Sequence, residues 1–139
     1  MRRIAAVDFG LKRIGLAISD AQGIIALPLK MVLAGNTPIP NILAALAPYK
    51  HELQTILVGL PLLMNGTKGE MALLVERFAQ DLQAACGLPI QCVDERLTSV
   101  QAERALKEMS KNRKERTKTI DSLSATLLLQ AYLDRHACI

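Results

Sequence analysis

The sequence predicts an α/β fold in which helices cover a mixed five-stranded sheet. Three short apolar segments near the N-terminus are separated by tight turns, as in an antiparallel meander. Two later apolar segments each follow a stretch with helical spacing, which favours their parallel addition to the meander through helical crossovers. The chain has 139 residues, 50% of them hydrophobic, so we expect a single domain over residues 1–139.

The meander is predicted over residues 3–9, 14–19 and 24–32. The segment Gly10-Leu11-Lys12-Arg13 is expected to form the first turn, because glycine and polar residues interrupt the apolar pattern there. Pro28 lies inside the third segment and cannot donate a ladder hydrogen bond. That segment is therefore expected to be an edge strand or to contain a bulge.

The middle of the chain alternates between helical and extended patterns. Residues 39–49 have the apolar spacing of a helix, and residues 54–60 are expected to form the fourth strand. Thr67 and Glu70 match a capping box, which predicts a helix that begins at Thr67 and ends near Gly87.

The last third of the chain supplies one more strand and two predicted helices. Residues 89–93 form the fifth strand, and Thr98 with Gln101 makes a second capping box for a helix that ends near residue 108. A final helix over residues 119–135 is apolar on most sides, so it should pack on the sheet.

The composition narrows the classes of function. Only 3% of the residues are aromatic, which argues against base-stacking platforms as the main means of binding nucleic acid. Three cysteines without CxxC spacing and no long apolar segment are typical of a cytoplasmic protein without a membrane anchor.

The excess of positive charge is concentrated in one segment. The net charge is +4, and residues 107–118 alone carry six basic and two acidic residues. Such a segment favours a polyanionic partner, although a solvated surface loop is the commoner use of a charged run. The basic residues are Lys107, Lys111, Arg113, Lys114, Arg116 and Lys118.

Acidic residues follow two predicted strands that should lie parallel. Asp8 ends the first strand, and Asp94 and Glu95 end the fifth, so their side chains should meet at the edge of the sheet where ligands gather. Asp121 opens the last helix and reaches the same edge if that helix crosses the sheet. Taken alone, Asp121 is better interpreted as a helix-dipole or capping residue, and Asp94 or Glu95 could simply pair with Arg96 or lie in a solvated turn.

Three converging carboxylates would repel one another unless a cation lay between them. An all-oxygen ligand set suits Mg²⁺ or Mn²⁺, and such a site beside basic residues suits phosphodiester hydrolysis. Because side chains alternate along a strand, only one of Asp94 and Glu95 should face the ion.

Two glycine-containing turns could bind phosphate, although both are equally well read as ordinary turns. Gly10 and Gly15 flank Lys12 and Arg13, which could place N–H groups and positive charge near an anion. The loop after the fourth strand leads into the predicted helix start at Thr67, a second possible anion site.

Five sequence blocks, in order along the whole chain, resemble the YqgF/RuvX family. The Asp-Glu-Arg-Leu-Thr-Ser block is the most specific of them, whereas Asp-Phe-Gly alone would be weak. The blocks are Asp8-Phe9-Gly10, Lys12-Arg13-Ile14-Gly15, Gly59-Leu60-Pro61-Leu62, Asp94-Glu95-Arg96-Leu97-Thr98-Ser99 and Ile120-Asp121.

The resemblance implies an RNase H-like fold and a bacterial nuclease that trims the precursor of 16S rRNA. Holliday-junction resolution is the older proposal for the family. Its acidic triad would correspond to Asp8, Glu95 and Asp121, which would bind Mg²⁺ or Mn²⁺. The family pattern selects Glu95 over Asp94, which leaves Asp94 to brace the turn against Arg96. The family often has Asp where this chain has Asn65.

The leading hypothesis is therefore a metal-dependent nuclease acting on precursor rRNA, with ribosomal particles as possible partners. A junction resolvase acting on branched DNA is the alternative, and its two-fold substrate would favour a homodimer over a monomer. A nucleic-acid-binding factor without activity is a third possibility, and a sugar-kinase-like ATPase is disfavoured by the short chain. Expected nucleic-acid contacts are Lys12, Arg13, Lys111, Arg113, Lys114, Arg116 and Lys118.

Overall fold

The structure is a computed structural model that describes residues 3–97 and 122–136. Its five strands lie in one sheet in the order β3-β2-β1-β4-β5. They are β1 Arg3–Asp8, β2 Arg13–Ser19, β3 Ala26–Leu33, β4 Leu53–Leu60 and β5 Ile90–Asp94.

The strand directions are those predicted from the sequence. β1 pairs with β2 and β2 with β3 in antiparallel ladders, which confirms the meander. β4 pairs with β1 and β5 with β4 in parallel ladders, which confirms the two parallel additions. β3 is an edge strand, as Pro28 predicts, and its ladder with β2 shifts register between Ile14 and Leu16.

Helices cover both faces of the sheet. α1 (Pro38–Leu46) and α2 (Glu70–Cys86) pack on one face, and α3 (Leu123–His136) packs on the other. Alternation along β1 separates the two layers, since Val7 joins the cluster below α1 and α2 while Ala6 joins the cluster below α3. The apolar character of the last helix is explained by this packing.

The boundaries of two helices differ from the prediction. α1 ends at Leu46 and is followed by a 3₁₀ turn over Ala47–Tyr49, because Pro48 lacks the N–H that would continue an α-helix.

The prediction of a capping box at Thr67 is wrong. α2 begins at Glu70, and Gly69 at its N-cap makes no side-chain hydrogen bond. The Thr67 hydroxyl instead donates to Asn65 Oδ1 at 2.6 Å, and the Thr67 N–H donates to the same oxygen at 3.0 Å. We call this pair of hydrogen bonds to the Asn65 side chain the asparagine turn. It engages the Thr67 hydroxyl and the Thr67 backbone N–H, the two groups that a capping box would need.

Several predictions fall outside the described residues. They concern the capping box at Thr98 and Gln101, the helix to residue 108, the basic segment, Asp121 and the start of the last helix.

Among the described helices, none is long and apolar enough to cross a membrane.

Candidate active site

Two carboxylates meet at the carboxyl edge of the sheet. Asp8 is the last residue of β1, and Glu95 opens a single 3₁₀ turn, Glu95–Leu97, directly after β5. β4 lies between these strands, yet the Glu95 side chain reaches across it and shares a hydrogen bond with Asp8. The structure therefore brings together two of the three acids that the sequence singles out.

Gly59 makes this approach possible. A Cβ atom on Gly59 would lie 2.5 Å from Glu95 Oε1 and 3.0 Å from Glu95 Cγ, closer than real side chains come. With a side chain at this point of β4, the glutamate could not keep its present position across the strand. The sequence gives Gly59 no role beyond its place in the fourth strand and in one of the family blocks, although a glycine in a strand can signal the close approach of another group.

The Glu95 carboxyl holds its proton more tightly than an ordinary glutamate. Burial, followed by the hydrogen bond with Asp8 and the negative charges of Asp8 and Asp94, raises the pKa of Glu95 to about 7. Burial and the hydrogen bond with Asp8 therefore keep a proton on Glu95 at a higher pH than an exposed glutamate would hold one. A cation can replace that proton, and the oxygen-only donor set suits a hard divalent ion.

A cleft of about 190 Å³ opens above the two acids. It is lined by Asp8, Glu95, Ser124, Leu127 and Leu128. The last three follow one face of α3, so the helix closes one side of the cleft with apolar residues and one hydroxyl. Ser124 was missed from the sequence, because its place in the cleft depends on how α3 crosses the sheet.

A larger cavity of about 340 Å³ lies elsewhere, among residues of α1, α2, β4 and the segments next to them, including Leu43, Lys50 and Cys86. It contains no carboxylate in its lining. Cavity size alone would therefore point away from the two acids, and the convergence of polar groups is the better guide.

Asp94 has a different partner from Glu95. Arg96 Nη2 donates to Asp94 Oδ2 at 2.8 Å, and the Arg96 backbone N–H donates to Asp94 Oδ1 at 2.9 Å. The Arg96 hydrogen bonds hold the pKa of Asp94 below its usual range. Asp94 braces the turn as predicted. The Glu95 side chain points elsewhere because Glu95 opens a 3₁₀ turn, so the alternation of side chains along a strand is not the reason that the two acids separate.

The described basic residues of the predicted contact set lie at the same edge. Lys12 and Arg13 are exposed at the turn from β1 to β2, and Gly15 lies opposite Asp8 in the ladder. The predicted anion site at the start of α2 is less favourable, because Glu70 places a negative charge in its first turn. Five predicted contacts lie outside the described residues: Lys111, Arg113, Lys114, Arg116 and Lys118.

Within residues 3–97 and 122–136 no group of three potential ligands is close enough to hold a metal ion. Asp8 and Glu95 supply two carboxylates, and Asp121, the third predicted ligand, is not among these residues. The described residues can therefore supply two of the carboxylate ligands that a divalent ion would need, but not a complete ligand set.

The mixed five-stranded sheet covered by helices is an RNase H-like fold, and two carboxylates meet at its carboxyl edge. The chain belongs to the RuvX family, whose profile, described as Holliday junction resolvase, matches residues 2–135. This confirms the resemblance that the sequence blocks indicate.

Relatives match over nearly the whole chain. A protein of Protochlamydia amoebophila, named as a candidate pre-16S rRNA nuclease, is 45% identical over 95% of this chain and 93% of its own length. A protein of Koribacter versatilis with the same name is 43% identical, over 96% of this chain and 87% of its own length. This degree of identity supports a hydrolase that acts on phosphodiester bonds.

Solved structures confirm the fold. RuvC of T. thermophilus, in complex with a Holliday junction substrate, matches with a TM-score of 0.58 and 16% identity, over 98% of this chain and 97% of that one. The Fowlpox virus resolvase in complex with Holliday junction DNA also gives a TM-score of 0.58, at 12% identity, over 96% of this chain and 97% of that one. At these identities the likeness concerns the fold alone.

Proposed function

We propose that this chain is a metal-dependent nuclease that processes the precursor of 16S rRNA in the cytoplasm. The observation that carries this proposal is the proton-sharing pair of Asp8 and Glu95 at the carboxyl edge of the sheet. The names of the full-length relatives support the substrate. The free thiols of Cys86 and Cys92 agree with a reducing compartment.

Asp8, Glu95 and Asp121 would hold Mg²⁺ or Mn²⁺. When bound, the ion supplies charge stabilisation and an activated water for attack on phosphorus. Asp8 and Glu95 must both be ionised for this role, so Glu95 releases its shared proton as the cation enters. Asp121 enters the set through the family resemblance.

The other residues of the cleft position the strand and limit the access of water. Leu127 and Leu128 form an apolar wall beside the acids, and the Ser124 hydroxyl can donate to a phosphate oxygen. The exposed Lys12 and Arg13 would contact the backbone on either side of the reacting phosphate. The basic residues between 111 and 118 would extend this contact.

A cleavage assay with Mn²⁺ tests the substrate. Precursor 16S rRNA and a synthetic four-way DNA junction are offered to the same preparation at the same ionic strength. We expect cleavage of the RNA and little or none of the junction. Efficient cleavage of the junction alone would overturn the proposed substrate.

Junction resolution is the second candidate, because the matching family profile is described as a Holliday junction resolvase. That reaction needs two active sites related by two-fold symmetry. It therefore predicts a homodimer in solution, whereas RNA processing is compatible with a monomer. Sedimentation at the assay concentration distinguishes the two.

A further inference from the structure

The loop from Pro61 to Gly69, here called the 61–69 loop, joins β4 to α2 beside the two acids. It is held together by its own hydrogen bonds. The Leu63 N–H donates to the Thr67 carbonyl at 2.9 Å, and the Gly66 N–H donates to the Leu63 carbonyl at 2.8 Å. Together with the asparagine turn at Asn65, these bonds make the loop a pre-formed surface.

Arg96 ties this loop to the active site. Its Nη1 donates to the Met64 carbonyl at 3.2 Å, while its Nε and Nη2 donate to Asp94. Arg96 directly follows Glu95 in the sequence. The backbone at Met64 is therefore tied to the residue that follows the carboxylate expected to bind the metal ion.

The tip of the loop presents apolar side chains to solvent. Met64 is 96% exposed and Leu63 is 52% exposed, whereas the preceding Leu62 packs against the core. Leu11, in the turn after β1 at the same edge of the sheet, is 69% exposed. The Met64 side chain makes no contribution to the packing of the fold, so it is available to contact a partner.

The charges around the tip indicate a nucleic acid as that partner. Lys12 and Arg13 are exposed at the same edge, and the acids are placed to act on a phosphodiester. In a strand bound there, the phosphates would take the positive charges. The bases are the only parts that offer an apolar face.

Methionine fits a base face in the place of an aromatic residue. Among the described aromatic residues, Phe9 packs on Phe78 with ring centroids 4.4 Å apart, and Tyr132 stacks on His136 at 4.1 Å. The remaining described ring, Tyr49, lies beneath Arg3 at the start of β1. A polarizable thioether makes favourable contacts with aromatic rings.

We propose that Met64 contacts the face of an unpaired base next to the reacting phosphate, so that the 61–69 loop selects single-stranded nucleic acid. This inference rests on the proposed function. A base within a duplex has both faces covered by its neighbours and offers no such surface. The choice between single-stranded and paired substrate would then be made by a contact outside the carboxylate cleft.

The test compares the binding of one 12-nucleotide RNA as a single strand and as a duplex, using fluorescence anisotropy in the Asp8→Asn background with Mg²⁺. We expect Met64→Ser to weaken single-strand binding about three- to tenfold and to leave duplex binding within about twofold. Met64→Leu, which keeps an apolar side chain, should retain most of the affinity.

The matched control is Ile24→Ser. Ile24 is 58% exposed in the turn between β2 and β3, at the opposite end of the sheet. The Ile24→Ser substitution should change neither the single-strand nor the duplex binding constant. A 2-aminopurine base in the single strand should also lose its binding-induced change in fluorescence with Met64→Ser.

Equal weakening of both RNAs by Met64→Ser, or no weakening of either, would overturn the inference. No effect on either RNA would leave the tip of the loop for a protein contact. Failure of the proposed function is seen separately, since a wild-type protein that cleaves no RNA can still show the difference in binding. A nuclease whose single-strand preference survives in Met64→Ser keeps its function and loses this inference.

Discussion

At the scale of single residues, the site depends on one contact that crosses a strand. Glu95 reaches Asp8 through space that a side chain on Gly59 would occupy, and the pairing changes the acidity of the glutamate. The acids themselves could be predicted from their places after two parallel strands. The role of Gly59 could not, because it depends on the rotamer of a side chain 36 positions away in the chain.

Replacing Gly59 with alanine should destabilise the protein by about 1–3 kcal/mol, because the new methyl group meets the Glu95 side chain. In the Glu95→Ala background the same substitution should cost much less. Urea unfolding of the four proteins in this double-mutant cycle measures the difference. An equal cost in both backgrounds would show that Gly59 serves another purpose.

The raised pKa of Glu95 makes stability depend on pH in a defined direction. The folded state keeps a proton that the unfolded state loses above about pH 4.5, so this contribution falls between about pH 4.5 and 7. Allowing for its partial exposure, we expect a loss of about 1–2 kcal/mol. Unfolding in EDTA, compared with Glu95→Gln, should show this loss in the wild type only. Parallel pH profiles for the two proteins would contradict it.

At the scale of elements, two side chains join segments that are distant in sequence. Arg96 joins the end of β5 to the 61–69 loop, and Ser122 joins the start of α3 to β2 and β3. The sequence indicated that Asp94 would brace its turn against Arg96. It did not indicate the bond from Arg96 to Met64, since a backbone carbonyl acceptor has no sequence signature.

Replacing Arg96 with lysine should loosen the 61–69 loop. A lysine ammonium cannot donate in the planar fork that reaches both Asp94 and Met64. Hydrogen exchange of the Leu63 and Gly66 amides should become faster, whereas Arg77→Lys, on the exposed face of α2, should leave it unchanged. Unchanged exchange in Arg96→Lys would show that the loop needs no such tie.

Ser122 hydrogen-bonds to both β2 and β3 next to the point where their ladder shifts register. Its hydroxyl accepts from the Leu16 N–H at 3.2 Å and donates to the Leu29 carbonyl at 2.6 Å, in a fully buried position. Ser122→Ala leaves both backbone groups without this partner and should cost about 1–3 kcal/mol in urea unfolding. Ser124→Ala is the control, because Ser124 is exposed. A cost no larger than that of the control would contradict this role.

At the scale of the whole molecule, hydrophobic periodicity was sufficient for the five strands and their directions, since each segment has a distinct pattern and crossovers follow few rules. The prediction of local detail was wrong where two sequence signals competed. At Thr67 the asparagine turn formed in place of the capping box. The convergence of Asp8 and Glu95 follows from the parallel arrangement of β1, β4 and β5. The apolar tip at Met64 was not anticipated, because burial depends on the complete fold.

The central claim is that Asp8 and Glu95 form the centre of a metal-dependent nuclease. Its most direct test is the rate of precursor 16S rRNA cleavage with Mn²⁺ by the wild type, Asp8→Asn, Glu95→Gln and the matched control Asp81→Asn on the exposed face of α2. We predict that the first two variants lose at least about a hundredfold in rate, that Asp81→Asn keeps the wild-type rate, and that EDTA abolishes cleavage. Wild-type rates in Asp8→Asn and Glu95→Gln would contradict the account.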